Sequence, residues 1–499
     1  MHPARNSCAL SSNHDETTDQ CLEQRRNWQQ TLSKVDSQYR MEKDFLGEVK
    51  VPREAYYGVQ TLRAVHNFPI SGLRLPREFI RAQGIIKLSA AKANMAVGLL
   101  DPRIGNAIVE AAEEVIAGKL DSSFVVDVFQ AGAGTSQNMN ANEVIANRAI
   151  EVLGGSLGDY KVVHPNDHVN MAQSTNDTIH VAIHIAALES VTRNLIPSLQ
   201  ALLDSLQRKS SEFENIVKIG RTHLQDAVPV TLGQEFSGYA SMIEHGIRRV
   251  KGASESLKEL NFGGTAVGTG LNAHPRFTEL AIDEVNRVTG LDFRRSDNMF
   301  ETTQSLDACV EMSSALKTLA VSFTKIANDL RLLSSGPAAG LGEILLPSVQ
   351  PGSSIMPGKV NPSIAEMFNM VAFQVIGNDL TITQAGQAGQ LELNVMMPVA
   401  AWNLLNSIQI ASNGSRVFAK SCIDGIVADQ EVCRRYAEMS SALSTALSPR
   451  IGYEKSAEIT KKAVKTKRSI REVAEEMSGL SKEELEKLLN LKRMTSNES

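Results

Sequence analysis

Apolar residues recur along the middle of the chain at helical spacing. Between 303 and 335, Leu306, Val310, Leu316, Leu319, Phe323, Ile326, Leu330 and Leu333 follow one another mostly at three- and four-residue steps and stop at Gly336-Pro337. That is one face of a long helix closed by breakers. At 1.5 Å per residue it spans ~45–50 Å. The same rhythm runs through 177–215 (Ile179, Ile183, Leu188, Val191, Leu195, Leu199, Leu202, Leu206) and 230–260 (Phe236, Tyr239, Ile243, Ile247, Val250, Leu257), and resumes at Ile364. Several helices of this length predict a mainly α fold built on a long bundle. Apolar faces left over in such a bundle call for cover by other subunits.

Elsewhere the pattern changes. Residues 1–40 show little apolar periodicity and read as a mobile polar N-terminal extension. From 41 to 176 short helical patterns alternate with Gly/Pro/Asn-rich stretches, notably QAGAGTSQNMN at 130–140 and HPNDHVN at 164–170; this is an N-terminal domain of ligand-facing loops. The long-helix domain covers 177–431 and includes the loop 351–362. A small, charged helical domain follows at 432–499, where Ser481 and Glu484 form a capping box ahead of ELEKLLN. No internal repeat or long βαβ pattern is present.

Composition narrows the function. The 499 residues carry a net charge of −5, 21% charged and 42% hydrophobic side chains, ordinary for a soluble protein and without a basic field for nucleic acid. The cysteines Cys8, Cys21, Cys309, Cys422 and Cys433 lack the spacing of a disulfide framework or zinc site. No apolar run reaches the ~20 residues of a membrane span, and the polar start is unlike a signal peptide. A cytoplasmic protein is expected.

The segment 351–362, PGSSIMPGKVNP, interrupts two helical patterns with Gly352, Pro357, Gly358 and Pro362 and carries two hydroxyls, an ammonium and an amide. Such a loop suits an anion. A phosphate-binding Walker loop is excluded: five residues separate Gly352 from Gly358-Lys359, and Val360 stands where Ser/Thr is required. GGTAVGTG at 263–270 has the wrong glycine spacing for a dinucleotide loop. The pairs His164/His168 and His180/His184 lie at i, i+4, yet Pro165 and Asn166 make the first a loop and neither has the HExxH pattern. No catalytic metal and no cofactor are expected.

The string Gly352-Ser353-Ser354-Ile355-Met356-Pro357-Gly358-Lys359-Val360-Asn361-Pro362 resembles the signature of the aspartase/fumarase superfamily. So do MEKDFLGEVKVPREAYYGVQT at 41–61, GAGTSQNMNANEVIANRA at 132–149, HPNDHVNMAQSTND at 164–177, GRTHLQDAVP at 220–229, GTAVGTGLN at 264–272 and AGQLELNVMMP at 388–398. The likeness spans 41–490. Within the family, GTSQNMNANEV, VNMAQSTND, THLQDAVP and AGQLELNV look closer to its ammonia-lyases than to its hydratases. Ile179-His180, Ala338 and Met397 depart from both.

The resemblance implies a three-domain fold whose long helices assemble into a homotetramer with active sites shared between three subunits. It also implies a dicarboxylate substrate. The expected reaction is reversible deamination of L-aspartate to fumarate and ammonium; the alternative is fumarate hydration. Carried over residue by residue, Ser353 would be the general base and His223 a second catalytic group. Thr135, Ser174, Thr175, Asn176, Thr222 and His223 would grip the carboxylates and amino group, Ser354, Lys359 and Asn361 would hold the substrate, and Glu366 would orient His223. Removing the C3 proton builds a doubly charged aci-carboxylate, so clustered preorganised donors are the chemistry to look for.

Overall fold

The computed structural model describes residues 38–496. Residues 1–37, most of the polar extension, with Cys8 and Cys21, lie outside the described residues. The chain forms two compact units: residues up to Ile179 with Phe262–Ala266 and Gly270–Val288, and His180–Asn261 with Val267–Thr269 and everything from Thr289 onward.

The first unit opens with the hairpin β1 (Tyr39–Asp44) and β2 (Gly47–Pro52), paired antiparallel. Helices α1 (Val59–Asn67), α2 (Arg77–Ala96), α3 (Pro102–Ile116) and α4 (Thr135–Val152) follow. α2 and α4 run 20 and 18 residues, longer than the short patterns expected over 41–176. The reason is burial on nearly all sides. Gln83, Lys87, Asn94, Asn138, Asn140 and Asn142 lie inside beside Ile85, Leu88, Val144 and Ile145, so polar side chains interrupt the apolar period that marks a surface helix. Leu88, Ile108, Val115, Val144 and Ile150 belong to one core.

The boundary between units falls within α5 (Thr175–Ser190). A π-turn, Val191–Leu195, joins α5 to α6 (Ile196–Glu212), and the two-stranded sheet of β3 (Val217–Thr222) and β4 (Gln225–Thr231) leads to α7 (Leu232–Ala253). Thr231 and Gln234 form a capping box at the start of α7. Two short strands, β5 (Glu259–Leu260) and β6 (Arg294–Arg295), bracket α8 (Phe277–Thr289).

The helix expected over 303–335 is interrupted. α9 (Met299–Gln304) ends before Ser305, and α10 (Asp307–Leu333) restarts after Leu306. Ser305 is extended; its hydroxyl accepts the Asp307 N–H and its carbonyl accepts a bond from the His180 imidazole. Local side-chain bonds thus replace the helical ladder there. The 27 residues of α10 span about 40 Å.

After β7 (Ile344–Leu345), α11 (Ser363–Gln387) and α12 (Met397–Ser421) complete the bundle. α6 packs on α7, α7 on α10, α10 on α11, α11 on α12 and α12 back on α6. Phe323, Phe368 and Phe418 stack through its middle, with ring centroids 4.3 and 4.2 Å apart. β8 (Val427–Ala428) pairs with β7 ahead of α13 (Gln430–Met439). The C-terminal helices α14 (Ser448–Ile451), α15 (Tyr453–Thr466), α16 (Ile470–Met477) and α17 (Lys482–Leu488) close over Leu447, Ile459, Ile470, Val473, Leu485 and Leu489. Ser481 and Glu484 form the expected capping box; Ser469 and Glu472 form another that the sequence reading passed over. Among the described residues no helix is long and apolar enough to cross a membrane.

Candidate functional site

In the first unit the donors sit at two helix starts. Ala133 and Gly134 adopt positive φ, 60° and 80°, and the turn they make delivers Thr135 to the N-terminus of α4. Ile179 packs directly beneath Gly134, where an added Cβ would meet its side chain at 3.0 Å. Thr135 is exposed and its hydroxyl donates to the Gly132 carbonyl at 3.3 Å. At the start of α5 the Ser174 N–H donates to the Asp177 carboxylate at 2.9 Å, while the Ser174 hydroxyl accepts the Asn176 N–H at 3.2 Å. The helix dipole makes both starts favourable places for a carboxylate.

Behind these donors lies a network that sequence reasoning missed. The buried Lys87 ammonium donates to Asn138 (2.9 Å), Asn170 (2.9 Å) and Gln173 (3.0 Å). The Asn138 amide in turn donates to the Thr175 hydroxyl at 3.1 Å. Asp177, fully buried, accepts the Gly263 and Thr265 N–H groups at 3.0 Å each, and the Asn176 amide donates to the Ala266 carbonyl at 2.7 Å. Burial pushes the Lys87 ammonium down to about 7 and the Asp177 carboxyl up to about 7; each offsets part of the other's desolvation through its charge. The signal was available: a lysine inside the apolar run GIIKLSAA conflicts with its surroundings unless partnered.

In the second unit Thr222 ends β3 and pairs with Gln225, leaving His223 and Leu224 as a two-residue turn. Both have positive φ, 57° and 59°, the left-handed geometry of a type I′ hairpin, where Asn-Gly is the favoured pair. Thr222 and His223 are exposed. The base of this hairpin is pinned by charge. Glu343, wholly buried, takes two bonds from Arg221 at 3.0 and 2.9 Å and pairs with Lys218 at 3.3 Å. Lys218 also reaches Glu235 at 3.1 Å.

The loop 351–362 is closed on itself. The Gly352 N–H donates to the Lys359 carbonyl at 2.8 Å, and the Asn361 amide donates to the Gly352 carbonyl at 2.7 Å. A Cβ on Gly352 would lie 2.6 Å from the Lys359 oxygen, so only glycine fits this crossing. Within the ring, the Ser353 hydroxyl oxygen accepts two backbone N–H groups, from Ile355 at 3.2 Å and Met356 at 3.0 Å. Ser354 and Lys359 are exposed. Glu366 is half-buried in the first turn of α11, and no hydrogen bond joins it to His223 within the chain.

The expected residues thus fall into two sets. Thr135, Ser174, Thr175 and Asn176 belong to the first unit; Thr222, His223, Ser353, Ser354, Lys359, Asn361 and Glu366 belong to the second. Of the histidine pairs, His164 Nδ1 accepts the Asn166 and Asp167 N–H groups and the His164 backbone N–H donates to His168 Nδ1, as a loop cap. His180 and His184 are both buried in the second unit.

Comparison with known proteins places the chain in a family. A family model described as Lyase matches residues 47–377, and one described as Fumarase C C-terminus matches 443–496. The chain is 50% identical over 461 residues to an aspartate ammonia-lyase from Bacillus sp, covering 92% of this chain and 98% of that one. It is equally 50% identical over 450 residues to a class II fumarate hydratase from Neisseria meningitidis, covering 90% and 97%. Among solved structures, a recombinant class II fumarase from Schistosoma mansoni superposes with a TM-score of 0.90 at 37% identity, covering 92% of this chain and 100% of that one. A fumarate lyase:delta crystallin from Brucella melitensis bound to cobalt gives 0.89 at 47% identity with the same coverage.

Proposed function

Because this chain belongs to the lyase family that contains the class II fumarate hydratases and the aspartate ammonia-lyases, we propose that it deaminates L-aspartate reversibly to fumarate and ammonium, with Ser353 as the base. The observation that carries this reading is the pair of N–H groups aimed at the Ser353 oxygen. A serine is a weak base unless its alkoxide is stabilised, and two fixed dipoles on that oxygen favour the charged form.

Ser353 takes the C3 proton, and the electron pair of the broken C–H bond spreads into the neighbouring carboxylate. Its return forms the C2–C3 double bond and breaks C2–N, so the amino group leaves as ammonia and is protonated to ammonium. Thr135, Ser174, Thr175, Asn176, Thr222, His223, Ser354, Lys359 and Asn361 supply donors to the substrate. Their effect is greatest where charge develops in the transition state. Glu366 orients His223 across subunits.

The ammonia-lyase assignment rests on the segments around Ser136, Met171, Thr175, Leu224 and Gln390, since overall identity is the same toward either activity. Following fumarate absorbance with and without ammonium separates them: loss that requires ammonium is expected, and loss in its absence makes the protein a hydratase.

We further propose a homotetramer in which each site draws on three subunits. Met370, Phe373, Ile376 and Leu380 follow one another at three- and four-residue steps along α11 and are 67, 59, 36 and 62% exposed in the single chain. A stripe of that kind is an interface left open. Phe373→Asp is expected to lower the sedimentation coefficient and abolish activity together; an active monomer would refute shared sites.

A further inference from the structure

His180 and His184 stand one turn apart on α5, 2% and 1% exposed, with ring centroids 4.5 Å apart. Both rings are held by backbone carbonyls, His180 by that of Ser305 and His184 by those of Glu259 and Leu257. His180 Nε2 bonds the Ser305 oxygen at 2.9 Å, and His184 Nδ1 bonds the Glu259 oxygen at 2.8 Å. A carbonyl can only accept, so those nitrogens carry the protons, and His180 Nδ1 and His184 Nε2 are left as bare lone pairs. Both are buried, and neither has a hydrogen-bond partner. Two unpartnered acceptors side by side are costly, because each has lost its water without replacement.

His180 and His184 are also among the residues around a cavity of about 200 Å³ in the second unit. Its wall includes Glu301, Asp307 and Glu311, exposed carboxylates that give the opening a negative potential. Glu259 on the same wall is paired with Arg294 at 3.2 Å, and Glu311 accepts the Ser256 hydroxyl. Among the described residues no cluster of three or more His, Cys, Asp or Glu is arranged to hold a metal ion, so any ion here would have two protein ligands and complete its shell with water.

From this juxtaposition we propose that His180 Nδ1 and His184 Nε2 form a two-histidine site for a divalent transition-metal ion of the zinc, nickel or cobalt class, separate from the lyase chemistry. Neutral imidazole suits such ions, whereas magnesium and calcium prefer oxygen. A metal-bound histidine characteristically donates its other N–H to a carbonyl or carboxylate, and both rings already do so. Both ligands lie on α5, so the ion would reach the break between α9 and α10 only through the His180–Ser305 hydrogen bond.

The test uses the full-length, untagged protein. Titration with Zn²⁺ should give one tight site per chain and raise the melting temperature, while Mg²⁺ gives neither. His180→Gln, which keeps a donor for the Ser305 carbonyl, should weaken Zn²⁺ binding roughly tenfold or more with lyase activity retained. X-ray absorption of the zinc-loaded wild-type protein should show two imidazole scatterers, a readout independent of whether either variant folds. Absence of a tight site, equal binding by His180→Gln, or a shell without paired imidazoles would overturn the proposal. A failure of the aspartase reading leaves these measurements unchanged.

Discussion

The donors of the first unit are held from behind, whereas those of the second stand on exposed backbone. Thr175 is fixed through Asn138 to a buried lysine, and Ser174 through Asp177 to two loop N–H groups. Ser353 and His223, by contrast, are positioned by main-chain geometry alone: a self-closed loop in one case, a two-residue turn in the other. The first arrangement specifies orientation at the expense of burying charge. The second leaves side chains accessible at the expense of backbone strain. A lyase needs both, a rigid cradle for carboxylates and a reactive oxygen that substrate can approach.

The contrast can be broken from either side. Ser353→Ala removes the proposed base without touching a packed element, so kcat should fall roughly 10²–10⁴-fold while thermal unfolding stays at the wild-type temperature. Full activity in that variant would remove Ser353 from the mechanism. Lys87→Met should act oppositely. It leaves the buried Asp177 carboxylate without its counter-charge and three amide oxygens without their donor, a loss of ~3–5 kcal/mol that urea unfolding would register. A change below about 1 kcal/mol would mean that the network holds little of the first unit together. The smallest effect is expected at the hairpin tip. Leu224→Gly relieves left-handed strain at a 71% exposed position and should stabilise by roughly 0.5–1 kcal/mol after the entropy of glycine is subtracted. A loss instead would show that the Leu224 side chain is covered in the assembled protein.

How legible each region was follows from the same contrast. The bundle could be read because α7, α10 and α11 each bury a face and leave another outside, so periodicity survives in the sequence. The motif loop could be read because its glycines, prolines and hydroxyls are local. The cradle could not: Lys87, Asn138 and Asp177 act through partners 37 to 88 positions distant, and α2 and α4 bury polar and apolar residues alike. The break at Ser305 escaped notice for a related reason. Leu306 and Val310 keep the helical period on either side, while the interruption is set by a histidine 125 residues away. The departure Ile179-His180, noted in the sequence only as a difference, proves to be where both a donor turn and the histidine pair are packed.

The π-turn Val191–Leu195 between α5 and α6 has a bearing on how this chain tolerates length change. A π-turn is a helix carrying one surplus residue, so deleting any one of the five would yield a longer, better-bonded α-helix. Because the widened turn already absorbs its extra residue, the helix on either side keeps nearly the phase of an uninterrupted α-helix, and the repair would leave His180 and His184 aimed at the Ser305 and Glu259 carbonyls. A single deletion within Val191–Leu195 would thus regularise the helix without disturbing tertiary phase, which makes this turn the one place along α5 and α6 where a change of length is absorbed.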